Sequence, residues 1–323
     1  MSDKTLLDLD RQHLIHPVSN YRAHERNGAI VLESGRGAWL RDVDSREYLD
    51  AFAGLWCVAS FDRLSYFNVS YRQQLVVRAA TAQMEKLPYA TEYFDFASEA
   101  SIRLAGRLVE LAPRSLRHVY FTLGGSDAID SAVRFVTRYW NARGQSQRKQ
   151  FIAIERGYHG SSTVGSGLTA LKAFHTGFDM PLPTQHHIPS TYPYRNPVGS
   201  DPAAIIRASV AALKSAVHAL GQDRVAAFFA EPVQGSGGVI VPPRGWLKAM
   251  QDTCRELGIL LVCDEVITGF GRTGPLFAVE SEGVEPDLMT LAKGLTAGYA
   301  PMGAVLLSGA VYDAIADGTP RDA

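Results

Sequence analysis

The sequence lacks any excess of charge of one sign. Its 323 residues include 32 Lys and Arg against 33 Asp and Glu, which leaves a formal net charge of -1. A chain so balanced has no strongly basic character of the kind that predicts binding to nucleic acid or to an anionic membrane. We therefore expect neither nucleic acid nor a membrane as a partner.

Cysteines and long apolar runs are also scarce. The three cysteines, Cys57, Cys254 and Cys263, have no paired spacing, which predicts reduced thiols. Apolar runs such as residues 259–263 are too short to span a bilayer. The first residues lack the apolar region of a signal peptide. These absences predict a cytoplasmic protein.

The nine histidines show no spacing typical of a metal site. No HExxH motif is present, and the pair His186-His187 lies in a segment that we expect to be a Pro-rich loop. We therefore assign no metal site from the sequence.

Strand-like and helix-like segments alternate along most of the chain. A short helix is expected over residues 3–16, ended by Pro17, and short strands are expected over 30–32 and 38–40. From about residue 70 onward, helical patterns cover 73–86, 98–112, 126–143, 202–220 and 244–257. Continuous apolar runs, typical of strands covered on both faces, occupy 118–121, 151–154, 225–230, 259–263 and 302–307. The alternation predicts an α/β fold with a mostly parallel sheet, and ligands beyond the carboxyl ends of its strands.

A glycine pair follows the first of these long strands. Gly124-Gly125-Ser126 leads directly into a helix, where free backbone amides favour an anion such as phosphate. A tight turn with Ser126 as the helix N-cap is an equally simple interpretation. The motif matches neither the P-loop nor the dinucleotide fingerprint.

Carboxylates end two strands that look adjacent. Asp264-Glu265 follows residues 259–263, and Glu231 follows residues 225–230. Buried acids are costly unless a cation or hydrogen-bond donors receive them. Capping of a nearby loop is the structural alternative to a ligand site.

A lysine and a tyrosine complete this set of strand-end residues. Lys293 lies in the apolar, Gly-containing run Leu291-Ala292-Lys293-Gly294-Leu295, and a desolvated lysine is a nucleophile toward carbonyls. Tyr158 follows the strand over 151–154 and offers an aromatic ring, although a tyrosine packed in a loop would have the same pattern. Pyridoxal phosphate needs a Schiff-base lysine, an acid at its pyridine nitrogen and a phosphate site. These residues together indicate that cofactor.

At this point the sequence resembles the class III (fold type I) aminotransferases, and within them the ω-amino acid:pyruvate transaminase group. The resemblance rests on the strings over residues 230–238 (AEPVQGSGG), 263–274 (CDEVITGFGRTG) and 292–295 (AKGL). Residues 54–58 (GLWCV) resemble the substrate-pocket segment of the same group. The resemblance covers nearly the whole chain.

The resemblance implies a role for each candidate residue. Lys293 would hold pyridoxal 5'-phosphate as a Schiff base and transfer the proton, and Asp264 would pair with the pyridinium nitrogen. Gly125 and Ser126 would bind the phosphate, and Tyr158 would stack on the ring.

Three further residues would shape the pocket. Val266 would pack on the other face of the ring, Glu231 would contact the cofactor and gate the substrate, and Trp56 would form a pocket wall. Tyr158 would contact the substrate as well. The family implies a homodimer in which each active site is completed by the neighbouring subunit.

Two departures from the family pattern bear on activity. The chain ends at Ala323, where the family continues with a small C-terminal domain, so we expect a truncated protein with residues 1–58 as an N-terminal segment and 59–323 as the large cofactor-binding domain. Nine additional residues, Ala59–Phe67, interrupt the pocket segment.

The leading hypothesis is an aminotransferase that moves an amino group from an ω-amino acid or terminal amine, such as β-alanine or putrescine, to pyruvate. A catalytically incompetent truncated chain, or another class III activity such as an aminomutase, is the alternative.

Overall fold

The computed structural model describes residues 5–57 and 73–318. The chain divides into two compact units, Met1–Pro88 and Tyr89–Ala323. The additional segment Ala59–Phe67 lies outside the described residues. The expected domain boundary at residues 58 and 59 stays a prediction.

The first unit combines short helices with a small antiparallel sheet. Its helices are α1 (Leu6–His13), α2 (Tyr21–Asn27), α3 (Ala53–Trp56) and α4 (Gln74–Lys86), and its strands are β1 (Leu32–Arg36), β2 (Trp39–Asp42) and β3 (Glu47–Leu49), in the order β1-β2-β3. A capping box fixes the start of α1, because Thr5 and Asp8 each satisfy the backbone amide of the other. α1 ends three residues before the predicted helix end.

The second unit contains the main sheet and its covering helices. Its helices are α5 (Glu99–Leu111), α6 (Gly125–Ala142), α7 (Thr163–Leu168), α8 (Pro202–Leu220), α9 (Trp246–Leu257) and α10 (Gly309–Asp317). Its strands are β4 (Leu116–Thr122), β5 (Gln150–Ile154), β6 (Gln185–Ile188), β7 (Val225–Ala230), β8 (Leu260–Asp264), β9 (Leu288–Leu291) and β10 (Gly303–Ser308).

The seven strands form one sheet in the order β4-β10-β9-β8-β7-β5-β6. β10 runs antiparallel to both of its neighbours, and all other pairs are parallel. The prediction of a mostly parallel sheet flanked by helices is confirmed. In a parallel sheet the carboxyl ends of all strands lie at the same edge, and the candidate site lies at that edge.

The core lies on both faces of this sheet. Every residue of β5, β7, β8, β9 and β10 is buried. Alternate strand residues point to opposite faces, so that Phe229 and Val262 pack with α6 while Phe228 and Leu261 pack with α8 and α9. This two-sided burial explains why the strands read as continuous apolar runs.

The structure corrects one prediction about the sheet edge. His186 and His187 lie in strand β6, which pairs in parallel with β5, and not in a loop. β6 is an edge strand of four residues with half-buried polar side chains, so it has no apolar run to reveal it. The strand β9 escaped prediction because the polar Thr290 interrupts its apolar run.

One described helix, α8, is long and apolar enough by length and composition to cross a membrane. In the fold, its residues Ile205, Leu213 and Val217 are buried, and Leu213 and Val217 belong to the core cluster that also contains residues of α9. This is the position of an apolar helix that covers a parallel sheet. The expectation that no membrane is a partner stays a prediction.

Candidate active site

Two carboxylates lie side by side at the carboxyl edge of the sheet. β7 and β8 are parallel neighbours with Ala230 opposite Cys263, so the next residues, Glu231 and Asp264, leave adjacent strands together. Both side chains are buried, with 3% exposure each. The predicted adjacency of the two strands is confirmed.

Asp264 is held in one orientation by three partners. Its Oδ1 accepts hydrogen bonds from the backbone N–H of Val266 and from the hydroxyl of Thr290, both at 3.1 Å. Its Oδ2 lies 2.8 Å from Nδ1 of His159. A carboxylate fixed on both oxygens has little freedom to turn away from a cation placed against it.

His159 is the residue that sequence reasoning passed over. Its side chain is 1% exposed, and burial disfavours its charged form. The hydrogen bond and negative charge of Asp264, with the charge of Glu231, outweigh that burial and raise the pKa of His159 above its ordinary value. Among the described residues, its Nε2 has no hydrogen-bond partner. The sequence did contain one indication of a role for His159: it follows Tyr158 directly, just after the end of β5.

Glu231 organises two turns through its carboxylate. Its Oε1 accepts from the backbone N–H of Tyr158 at 2.8 Å, and its Oε2 accepts from the N–H of Gly235 at 2.9 Å. Burial raises the pKa of Glu231 to about 7, and the nearby Asp264 adds to the rise, while His159 opposes it. The pKa of Glu231 therefore lies near neutrality. Its hydrogen bond to the N–H of Tyr158 fixes the backbone at that residue.

Glu265 binds residues of the loop that follows β8 and is not hydrogen-bonded to Asp264, His159 or Glu231 in the described hydrogen bonds. Its Oε1 accepts from the backbone N–H of Val279 at 2.8 Å, and its Oε2 accepts from the hydroxyl of Thr268. Burial raises its pKa to about 7. Of the two acids that end β8, Glu265 fits the loop-capping alternative and Asp264 does not.

The N-terminus of α6 lies at the same edge. Gly124, in extended backbone, is the N-cap, and no described side chain caps the helix, so the alternative of Ser126 as N-cap is wrong. A Cβ added at Gly125 would lie 3.1 Å from Cγ1 of Val266 and 3.6 Å from Cβ of Ala292. The first amides of an 18-residue helix therefore lie next to the segment that contains Lys293, where they favour an anion.

The loop after Tyr158 packs tightly against Ser126. The backbone N–H of Ser161 donates to Oγ of Ser126 at 3.1 Å. Gly160 has a φ of +107, and a Cβ there would lie 2.6 Å from the same hydroxyl oxygen. Only glycine fits both requirements, so Gly160 brings the Tyr158 loop onto the start of α6.

Lys293 occupies a restricted backbone position. It begins the single turn Lys293–Leu295 that follows β9, it is half-buried, and its φ is 37. Left-handed backbone at a residue other than glycine persists only where the surroundings impose it. A Cβ at Gly294 would lie 2.9 Å from Cβ of Phe270, which shows how closely that turn is packed.

The residues of this edge fit pyridoxal phosphate. A fixed buried carboxylate, Asp264, suits a protonated ring nitrogen, and the uncapped amides at Gly125 and Ser126 suit a phosphate. Tyr158, half-buried beside Phe174 with ring centroids 5.2 Å apart, offers an aromatic ring. Seven of the eight candidate residues thus belong to one unit, and their individual roles stay predictions.

The eighth candidate, Trp56, lies at the end of α3 in the first unit. It is half-buried, and its ring lies 5.2 Å from that of Phe52. Its proposed role as a pocket wall stays a prediction.

Comparison with known proteins gives a single family. The family described as aminotransferase class-III matches residues 21–320. The putrescine–pyruvate aminotransferase of Pseudomonas aeruginosa is 38% identical over 310 residues, which are 96% of this chain and 66% of the relative. The diaminobutyrate–2-oxoglutarate transaminase of Halomonas elongata is 36% identical over 98% of this chain and 66% of its own length. The chain thus spans slightly less than two thirds of these relatives.

Solved structures give the same likeness. The omega transaminase from Pseudomonas jessenii in complex with PMP superposes with a TM-score of 0.93 at 36% identity, covering 98% of this chain and 68% of the other. A thermostable (S)-enantioselective omega-transaminase from Thermomicrobium roseum gives a TM-score of 0.90 at 38% identity, with 96% and 67% covered.

Proposed function

This chain belongs to the class III aminotransferases, whose cofactor is pyridoxal phosphate, and from that premise we propose that it acts as a transaminase on terminal amines. The amine donor would be an ω-amino acid or diamine, such as β-alanine or putrescine, and the acceptor would be pyruvate. The similarity to a putrescine–pyruvate aminotransferase supports this choice of substrates. The similarity to a diaminobutyrate–2-oxoglutarate transaminase makes 2-oxoglutarate the acceptor to test against pyruvate.

The observation that carries the proposal is the buried carboxylate of Asp264, held between His159, Thr290 and the N–H of Val266. When bound, pyridoxal phosphate supplies an electron sink for the negative charge that develops at the substrate carbon. A carboxylate fixed against the ring nitrogen strengthens that sink, because it favours the protonated ring. His159 would maintain the orientation of Asp264 without itself touching the substrate.

The other residues would bind, orient and move a proton. Lys293 would carry the cofactor on its Nζ and transfer a proton at the substrate carbon. The amides at Gly125 and Ser126 would bind the phosphate, and Tyr158 and Val266 would hold the ring between them. Glu231, through its bonds to the N–H groups of Tyr158 and Gly235, would set the position of Tyr158.

Covalent labelling tests the assignment of Lys293. The purified chain is mixed with pyridoxal phosphate, reduced with borohydride and digested, and the modified peptide is identified by mass spectrometry. We expect the pyridoxyl group on Lys293 and none at that peptide in Lys293→Ala. Lys248→Ala, which removes an exposed lysine paired with Asp252, is the matched control and should label normally. Undiminished total labelling of Lys293→Ala would contradict the assignment.

A substrate panel tests the reaction. Putrescine, β-alanine and 2,4-diaminobutyrate are each offered with pyruvate or 2-oxoglutarate, and the amino acid formed from the acceptor is measured. We expect alanine from pyruvate with a terminal amine as donor. Glutamate-1-semialdehyde is also offered alone, and activity confined to this compound would favour an aminomutase.

We propose a homodimer and a cytoplasmic location as well. Sedimentation at several protein concentrations tests the first, and fractionation of the source cells tests the second.

A further inference from the structure

Three potential metal ligands, none of them among the candidate residues of the active site, converge in the first unit. Asp10 lies in α1, His24 lies in α2, and His16 lies in the connection between these helices. Nε2 of His16 is 2.7 Å from Oδ1 of Asp10, and Nε2 of His24 is 3.0 Å from Oδ2 of the same carboxylate. Each residue offers one ligand atom, and these atoms all lie within 4.8 Å of one another.

The local backbone holds this arrangement in place. Asn20 caps α2 by accepting from the N–H of Ala23 at 2.9 Å. The hydroxyl of Ser19 donates to the carbonyl oxygen of His16 at 2.8 Å. The connection is therefore shaped by its own polar residues, and the imidazole rings of His16 and His24 are brought to 4.4 Å between centroids.

The cluster is half-buried, and two of its buried atoms are incompletely satisfied. The side chains of Asp10 and His24 are 10% and 13% exposed. Among the described residues, neither Oδ2 of Asp10 nor Nε2 of His24 makes a hydrogen bond, although the two atoms face each other. Buried polar atoms left in this way are costly, and a cation bound between them would satisfy both.

We propose that Asp10, His16 and His24 bind a divalent transition-metal cation, with Zn²⁺ as the best fit. Two imidazole nitrogens and one carboxylate oxygen are ligands that Zn²⁺ prefers. Ligand atoms at about 2.0–2.1 Å from a tetrahedral Zn²⁺ lie about 3.3 Å apart. The pairs now at 2.7 and 3.0 Å therefore need to open by about 0.3–0.6 Å, and a pair near the 4.8 Å limit needs to close by up to about 1.5 Å, when the cation binds. Water would fill the fourth position, since His16 retains 32% exposure.

Such a site would link α1 to α2. The cation would cross-link Asp10 of α1 to His24 of α2. It would stabilise the helix pair, because a metal bound only by the folded chain adds its binding free energy to the free energy of folding. The spacing Asp10-x5-His16-x7-His24 matches no familiar motif, which is why the sequence predicted no metal. This inference does not rest on the proposed function.

Metal binding is tested with the whole chain after removal of any affinity tag and of bound metals. Equilibrium dialysis against Zn²⁺ at neutral pH should give one tight equivalent. His24→Asn and Asp10→Asn should each lower the affinity of that equivalent by at least about tenfold to 100-fold. His13→Asn removes an exposed histidine at the end of α1 and should bind as the original chain does.

Two further readouts keep the test decisive. Co²⁺ added to the unaltered chain should give the intense visible bands of a tetrahedral site, and Zn²⁺ should abolish them. Circular dichroism verifies that each variant is folded, and His16→Asn serves if one of the others is not. No tight equivalent, or one that survives in folded His24→Asn and His16→Asn, would overturn the proposal. In that case the cluster is a carboxylate shared by two histidines.

Discussion

The raised pKa of Glu231 predicts that replacing this residue changes the stability of the fold in opposite directions at low and at high pH. Its buried carboxylate accepts two backbone hydrogen bonds, from Tyr158 and Gly235, and burial raises its pKa from an ordinary value of 4.5 to about 7. We therefore predict the effect of Glu231→Gln, which keeps the size of the side chain and removes its titration.

The magnitude follows from the two values. Because the folded-state pKa is the higher one, the folded chain binds more protons between pH 4.5 and 7, and its stability falls as the pH rises through that range. At about 1.4 kcal/mol per pKa unit, ionisation of Glu231 lowers the free energy of unfolding by at most about 3–4 kcal/mol. The glutamine amide accepts only one of the two backbone bonds, which costs about 1–2 kcal/mol at every pH.

Removing the titrating carboxylate stabilises the fold at high pH, whereas losing one backbone hydrogen bond destabilises it at every pH. The stabilities of the original chain and of Glu231→Gln should therefore cross as the pH is raised. In mildly acidic solution Glu231→Gln should be less stable than the original chain, and in mildly alkaline solution it should be as stable or more stable. Urea unfolding without cofactor, at matched protein concentration across the pH range, measures the difference. The exposed Glu280→Gln is the control for removing a carboxylate. A difference between original and Glu231→Gln that does not change with pH would refute this reasoning.

Three further predictions concern the same edge of the sheet. Asp264→Asn should leave the cofactor covalently bound but slow proton abstraction in single-turnover experiments, each factor of ten corresponding to about 1.4 kcal/mol, and unchanged rates would contradict its role. His159→Phe leaves buried Asp264 without its 2.8 Å partner and should lower the free energy of unfolding by about 1.5–3 kcal/mol, with His159→Asn recovering part of the loss in the same urea assay. Gly160→Ala places a Cβ 2.6 Å from Oγ of Ser126 and should weaken cofactor binding in an absorbance titration, whereas Gly274→Ala, with a similar φ of +115 but open space, should leave binding unchanged.

Much of the second unit could be predicted from the chain alone. The runs that became β7 and β8 are apolar throughout, because both faces of these strands are buried, and they end at Glu231 and Asp264. The strings around these acids and around Lys293 identified the family before any geometry was known. β6 and β9 could not be found in this way, because polar residues interrupt their apolar runs: two half-buried histidines in β6 and Thr290 in β9.

The order of residues along the chain is therefore enough to predict the class of fold, the family and the residues that follow the strands. Which side chains meet depends on the folded chain. His159 meets Asp264 across 105 residues of sequence, and Glu231 meets the N–H of Tyr158 across 73. Such contacts depend on the order of the strands in the sheet and on turns fixed by residues such as Gly160. Residue type and spacing along one strand therefore carry no information on them. The same reason applies to Asp10, His16 and His24, which become neighbours only when two short helices fold against each other.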